Sequence, residues 1–493
     1  MAGMSHPQPE HGSLARRAAL MVVLWLGFWV LAIGLVIGLL AIPVAQLHLR
    51  DSVELSGIVA ACAGITLAYS LRPRRAATAD ADVVPKPLVR EEAPKLFDFI
   101  DAIAARLDVK APFELHLFTA ATASISAERS WTGRVRKLSI GIGMPLFAWL
   151  SEAELGAVIA HEFGHFVGGD VSLAPWVYRT RVSIGSAIHE LDDSVFFLDE
   201  PFRRYGNWFL RLSGAVSRAQ EYSADALGAR HFGAAAMCDA LQKIHLVAPV
   251  WYAYFHHDLL PALRCEARMP VFEGFRSFCA ASPKRREAQE AIDHAEEQEI
   301  TPFDTHPSLE ERLSALDGGT RVQLPRPAQC ADLLGGEACI ESMWYQRIDA
   351  ITWPAAEWDA FGDQVLCRRI TERFAGTEMA PEKLALTELA TMARALDEWW
   401  ARLQPEGLSL LSPEGKRKYV RDVLRDWIIA SLCHAGFSVR VRPGRSLVLE
   451  RDGMTVEPYE LLASACEGRL SAGELEKYAR PAGTANDTFP QQV

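Results

Sequence analysis

Residues 157–170 read AVIAHEFGHFVGGD, and the fold turns on how this stretch is read. Ser151 and Glu154 precede it as a capping box: the serine oxygen accepts from the Glu154 backbone while the glutamate reaches back, so a helix starts there. Gly168 and Gly169 close that helix. Leu155, Ile159, Phe163 and Phe166 form an apolar stripe that anchors it in a core. His161 and His165, four positions apart, lie about 40° from one another around the axis, so both imidazoles leave one face. Glu162 falls between the stripe and the histidines, beside anything they hold but pointing past it. This is the arrangement of H-E-x-x-H, two nitrogen ligands for zinc and a carboxylate for its water.

A catalytic zinc takes a third protein ligand and keeps one position open. Glu221, in SRAQEYSADALGAR at 217–230, is the candidate. Asp225 lies one turn later on the same face, where it accepts the free N–H of a ligating histidine and fixes its tautomer. Ala219, Ala224, Ala226, Gly228 and Ala229 are small, which lets this second helix come close to another. Taken alone, Glu-x-x-x-Asp is usually a solvated surface pair. Behind a capped helix carrying HEFGH, it reads as ligand and orienter.

Working outward, the amino terminus is the next strong signal. Leu20 to Ile42 holds no charge and is long enough to cross a hydrocarbon core of about 30 Å. Leu55 to Leu71 is a second uncharged run, shorter but still within range. The first run exceeds the apolar region of a secretory signal and no convincing A-x-A cleavage site follows it, so a retained membrane hairpin is expected. Arg16 and Arg17 precede the pair and Arg72, Arg74 and Arg75 follow it, whereas the loop has only Arg50, balanced by Asp51 and Glu54. The positive-inside rule puts both ends, and everything after residue 75, in the cytoplasm. Nine cysteines without a CxxC pair agree with a reducing compartment.

The net charge of −11 argues against a nucleic-acid binder, because nothing concentrates cations enough to neutralise phosphates. The length of 493 residues leaves room for two or three domains. Residues 1–75 form the hairpin, with spans at about 20–42 and 55–71, and 76–94 form a linker. A catalytic domain at 95–320 follows. It opens with an amphipathic helix carrying Leu96, Phe99, Ile100, Ile103 and Leu107. FELHLF (113–118), TASIS (122–126) and KLSIGIG (137–143) then read as short strands, with the turn-like SWTGR between the last two. Apolar pieces in 171–216 are broken by charges and read as soluble or interfacial helices. A helix around 214–230 and a charged one near 283–299 come next. Ser308 and Glu311 cap a further helix in HPSLEER at 306–312. Residues 325–493 form an accessory region whose last part has two or three strands with Pro-Gly and Asp-Gly turns, then two helices. No chemical motif occurs there, and the region reads as a module that either binds a protein partner or stabilises the chain. The fold class is α+β, mainly helical.

HEFGHFVGGD, then EYSAD, then HPSLEER together resemble the integral-membrane gluzincin metallopeptidases, the family of the HtpX heat-shock proteases and the CAAX prenyl proteases. The resemblance runs from about residue 85 to 320 and includes the lead-in KLSIGIGMPLFAWLSEAELGAVIA. It implies one zinc per chain held by His161, His165 and Glu221, with Glu162 as the catalytic carboxylate. It also implies that Ser124–Ser126 is an edge strand for an extended substrate, and that His306 or Arg312 stabilises negative charge at the reacting carbonyl. Glu221 follows His165 by 56 positions with charges throughout, so the extra spans that HtpX-type members place there are not expected. Nor can this chain build the intramembrane chamber of the prenyl proteases. The resemblance therefore implies a zinc metalloendopeptidase of the cell (inner) membrane, its catalytic domain cytoplasmic, acting on misfolded or membrane-associated proteins. The competing reading is an inactive membrane-tethered scaffold that binds partners through its C-terminal region.

Overall fold

The computed structural model describes residues 11–70, 86–130, 134–167, 199–281, 307–316, 330–403 and 411–479. The expected Gly168-Gly169 stop, the pieces at 171–198, the charged helix near 283–299 and His306 lie outside them. The chain divides into two compact units, Met1–Ala248 with His294–Ile340 and Pro249–Asp293 with Glu341–Val493.

The first unit begins with α1 (His11–Arg50) and α2 (Leu55–Ser70). Their connection is pinned by Gln46, whose Nε2 donates to Ser56 Oγ at 2.9 Å and whose Oε1 accepts from the Glu54 N–H at 3.1 Å. By length and composition, α1 is the one helix among the described residues able to cross a membrane; α2 is apolar but shorter. Helix α1 continues past the expected end at Ile42, through Pro43, to Arg50. Its Leu24, Phe28 and Ala32 pack with Leu67 and Phe209, while Val23, Val30, Ile33, Ile37 and Val44 stay exposed.

Helix α3 (Pro94–Arg106) buries Leu96, Ile100 and Ile103 as the periodicity predicts, with Phe97 rather than Phe99 as the buried aromatic. Strands β1 (Phe113–Phe118), β2 (Ala123–Arg129) and β3 (Val135–Gly143) form a sheet in the order β1-β3-β2. β1 runs parallel to β3 and β2 antiparallel, with Ile125 opposite Ile140. The Gly143 N–H donates to the Thr122 carbonyl at 2.8 Å, which sets the alternation along the pair. Backbone groups of Ala123, Ile125 and Ala127 therefore face away from β3, along an edge that no other strand among the described residues covers. After a short helix, α4 (Met144–Trp149), comes α5 (Glu152–Val167), then α6 (Asp199–Phe232), longer than the expected 214–230.

The second unit takes in Pro249–Ala281, which the sequence places in the catalytic domain. The reason is an aromatic cluster. Trp251 meets Phe275 edge-on and Tyr254 packs against the same ring at a tilt, the Tyr254 hydroxyl donates to the Val271 carbonyl, and Trp358 Nε1 donates to that of Pro270. A side chain at Gly274 would run into Tyr254 and Trp358. Farther on, β4 (Ser438–Arg440), β5 (Val448–Arg451) and β6 (Met454–Val456) make an antiparallel meander. Asp452 and Gly453, with φ of 49° and 77°, form the tight turn predicted from Asp-Gly. Trp427, Leu432, Val439, Leu449 and Leu462 fill the core beneath.

Candidate active site

Helix α5 starts as its capping box requires. The Glu154 N–H donates to Ser151 Oγ at 3.3 Å, and the Ser151 N–H donates to Glu154 Oε2 at 2.8 Å. Glu154 is also buried against Lys243, whose Nζ lies 2.7 Å from both carboxylate oxygens, a partner that local pattern does not reveal. Helix α6 crosses α5 at close range because the contact is made of small residues. A Cβ on Gly164 would sit 3.1 Å from Ala224 Cα, and one on Gly228 would sit 2.7 Å from the Ala157 carbonyl oxygen and 2.8 Å from the Met237 sulfur. Gly228→Val is accordingly expected to force the helices apart, lowering stability by about 1–3 kcal/mol and reducing bound metal. Ala226→Val, on an exposed position of the same helix, should leave both unchanged. Thermal unfolding and elemental analysis of the two variants read this directly.

This crossing brings three side chains to one point. His161 Nε2 lies 3.2 Å from His165 Nε2, 3.6 Å separates His161 Nε2 from Glu221 Oε2, and 3.6 Å separates His165 Nε2 from Glu221 Oε1. Donors about 2.0–2.1 Å from a tetrahedral ion are about 3.3 Å from one another, so the triangle has the size that zinc takes. Two imidazoles and a carboxylate are also the donor set of an open catalytic site rather than a closed structural one. The residues present fit the ion.

Asp225 is 1% exposed and stands 2.9 Å from His161 Nδ1, which leaves Nε2 of that ring directed at the triangle. Burial alone would raise its carboxyl pKa. Hydrogen bonds from Arg312 and His161 more than reverse that and hold it low. Arg312 comes from α7 (Leu309–Ala315), whose capping box of Ser308 and Glu311 is closed at 3.0 Å in both directions. Its Nε and Nη2 donate to the two Asp225 oxygens at 2.8 and 2.6 Å, and Nη2 lies 3.5 Å from Glu221. The sequence predicts Arg312 near a reacting carbonyl; here the fork of the guanidinium is engaged by Asp225. Half-buried Glu162 completes the group. Desolvation pushes its carboxyl up and Glu221 adds to this, against His161, His165 and the Ile125 backbone N–H that donates to it. That strand-to-carboxylate contact is invisible to pattern reading, because it depends on which edge of the sheet faces α5.

Residues 92–320 match the sequence profile of peptidase family M48. Curated relatives named Protease HtpX are similar over parts of the chain. That of Hahella chejuensis is 25% identical over 238 residues, 45% of this chain and 70% of its own length. That of Cellvibrio japonicus is 29% identical over 166 residues, covering 30% and 55%. That of Pseudomonas fluorescens is 26% identical over 251 residues, covering 48% and 74%. No solved structure gives a significant match. The class is thus a peptidase with a place for a metal. More narrowly, residues 92–320 are similar to the HtpX-type peptidases of family M48.

Proposed function

We propose that the chain is a membrane-anchored zinc endopeptidase that hydrolyses protein substrates at the cytoplasmic face of the cell membrane, in the manner of a quality-control protease. The observation that carries this reading is the triangle of His161, His165 and Glu221, at 3.2–3.6 Å, with Glu162 on the same helix beside it. The exposed apolar side chains of α1 support the anchor, since such a surface is stable against lipid and not against water. The arginines flanking the two apolar helices support a cytoplasmic catalytic unit.

Bound at the triangle, zinc supplies Lewis acidity, polarising a peptide carbonyl and making water a stronger acid. Glu162 takes the proton of the attacking water on its carboxylate and passes it to the departing amine. Desolvation raises its proton affinity toward the value this exchange needs. Asp225 orients His161, and Arg312 positions Asp225. The free edge of β2 at Ala123–Ala127 offers backbone groups to an extended chain, which would lie alongside the carboxylate that Ile125 touches. His306 remains a candidate for the same carbonyl from outside the described residues.

The test is metal removal. Protein purified in detergent should hold one zinc per chain and digest casein. A strong chelator should stop digestion, and zinc should restore it. Metal-free purified protein, or digestion that persists after chelation, would overturn the proposal.

A further inference from the structure

Helix α6 presents Glu221 to the metal triangle, but its first turns pack elsewhere, on the two apolar helices. The Tyr205 hydroxyl donates to the Leu24 carbonyl of α1, and the Tyr205 and Phe28 rings lie 6.1 Å apart between centroids. A Cβ on Gly27 would sit 2.8 Å from the Tyr205 oxygen, so the two helices touch there. Phe209, one turn on, is buried in a cluster with Leu24, Phe28, Ala32 and Leu67. Leu24 lies one turn after the first uncharged run begins at Leu20, and Leu67 one turn before the second ends at Leu71. The contact therefore falls at one end of both runs, the end that the flanking arginines place in the cytoplasm.

A second face of the same turns points away from this cluster. Arg204, Trp208, Arg211 and Ala215 are exposed and recur at helical spacing, within about 60° of arc around the axis. Trp208 is 54% exposed and meets Tyr205 edge-on at 6.0 Å, which ties its position to the contact with α1. We propose that Arg204, Trp208 and Arg211 lie in the headgroup layer of the leaflet that α1 enters, with the indole at the acyl-chain boundary and the guanidiniums on the phosphates of anionic lipid. The inference rests on the reading of α1 as a membrane anchor.

The chemistry of the face selects this partner. An indole is stabilised at a bilayer interface, where its apolar body and its N–H find different surroundings. Arginines on both sides of it make the hydrocarbon core a costly place for this face, whereas the surface of the cytoplasmic leaflet offers them negative charge. The chain as a whole carries −11, so a cationic face beside the span runs against the overall balance. Helix α6 is continuous from Asp199 to Phe232, which puts Glu221 about 20 Å along one rod from Trp208. The headgroup contact thus limits how far the metal triangle stands from the bilayer.

The test is photo-crosslinking of the full chain in proteoliposomes. With p-benzoylphenylalanine in place of Trp208, irradiation should attach lipid at that position; the same probe in place of Lys110, exposed on the same unit, should attach none. The adduct at 208 should be about fivefold more abundant when about one-third of the lipid is anionic than when all of it is zwitterionic, the factor for one arginine at a charged surface. Arg204→Gln combined with Arg211→Gln should remove that charge dependence. Wild type released from the vesicles by alkaline carbonate would sink the anchor reading itself. In a chain that resists carbonate, this contact alone would be overturned by no lipid adduct at 208, equal labelling at 208 and 110, a yield indifferent to lipid charge, or a crosslink to a second copy of the chain in place of lipid.

Discussion

Glu162→Gln is expected to keep its full complement of zinc and to digest casein about 10³-fold more slowly, within the range typical of a lost general base. The substitution is close to isosteric. Its amide oxygen can still accept from the Ile125 N–H, so the contact between α5 and the edge of β2 survives. None of the three triangle members changes, so metal content should not fall. What disappears is a carboxylate able to take a proton from water and return it to an amine. Elemental analysis and a casein rate on the same preparation separate metal retention from loss of the base. Equal rates for variant and wild type would favour the tethered scaffold instead, with the second unit as its partner-binding region. A slow variant that still binds substrate also serves as a trap, and the membrane-fraction proteins it retains would identify the substrate class.

The parts of this site legible in the sequence are those fixed by local geometry. Helical periodicity puts His161 and His165 on one face whatever the tertiary structure does, and Ser151 with Glu154 starts the helix in any context. The small residues around Glu221 announced a close crossing, and the space at Gly164 and Gly228 is as tight as that implies. Other features depend on partners far along the chain. Arg312 meets Asp225 across 87 positions and Lys243 meets Glu154 across 89, and no periodicity encodes either pairing. The division into compact units near Pro249 is likewise not legible locally. Nothing polar marks a break near Pro249, and only the packing of Trp251, Tyr254 and Phe275 with one another, and of Tyr254 with Trp358, shows where that segment belongs.

Arg312→Met should be the most damaging change outside the triangle and Glu162. It leaves Asp225 as a nearly inaccessible carboxylate whose strongest partner has gone, and breaking a buried pair in this way costs about 3–5 kcal/mol. Asp225 then shifts toward its protonated form and no longer holds His161 Nδ1 firmly, so zinc affinity should fall about 10–100-fold. Arg312→Lys should lie between the two, because an ammonium cannot reproduce the two-pronged contact at 2.8 and 2.6 Å. Adding Asp225→Asn to Arg312→Met should recover much of the stability, since a neutral amide needs no counter-charge, while zinc affinity recovers only in part. Chemical denaturation and titration against a competing chelator measure the two effects separately. A fall in kcat with unchanged stability and unchanged zinc affinity would count against this role and return Arg312 to the reacting carbonyl, where the HPSLEER pattern first placed it.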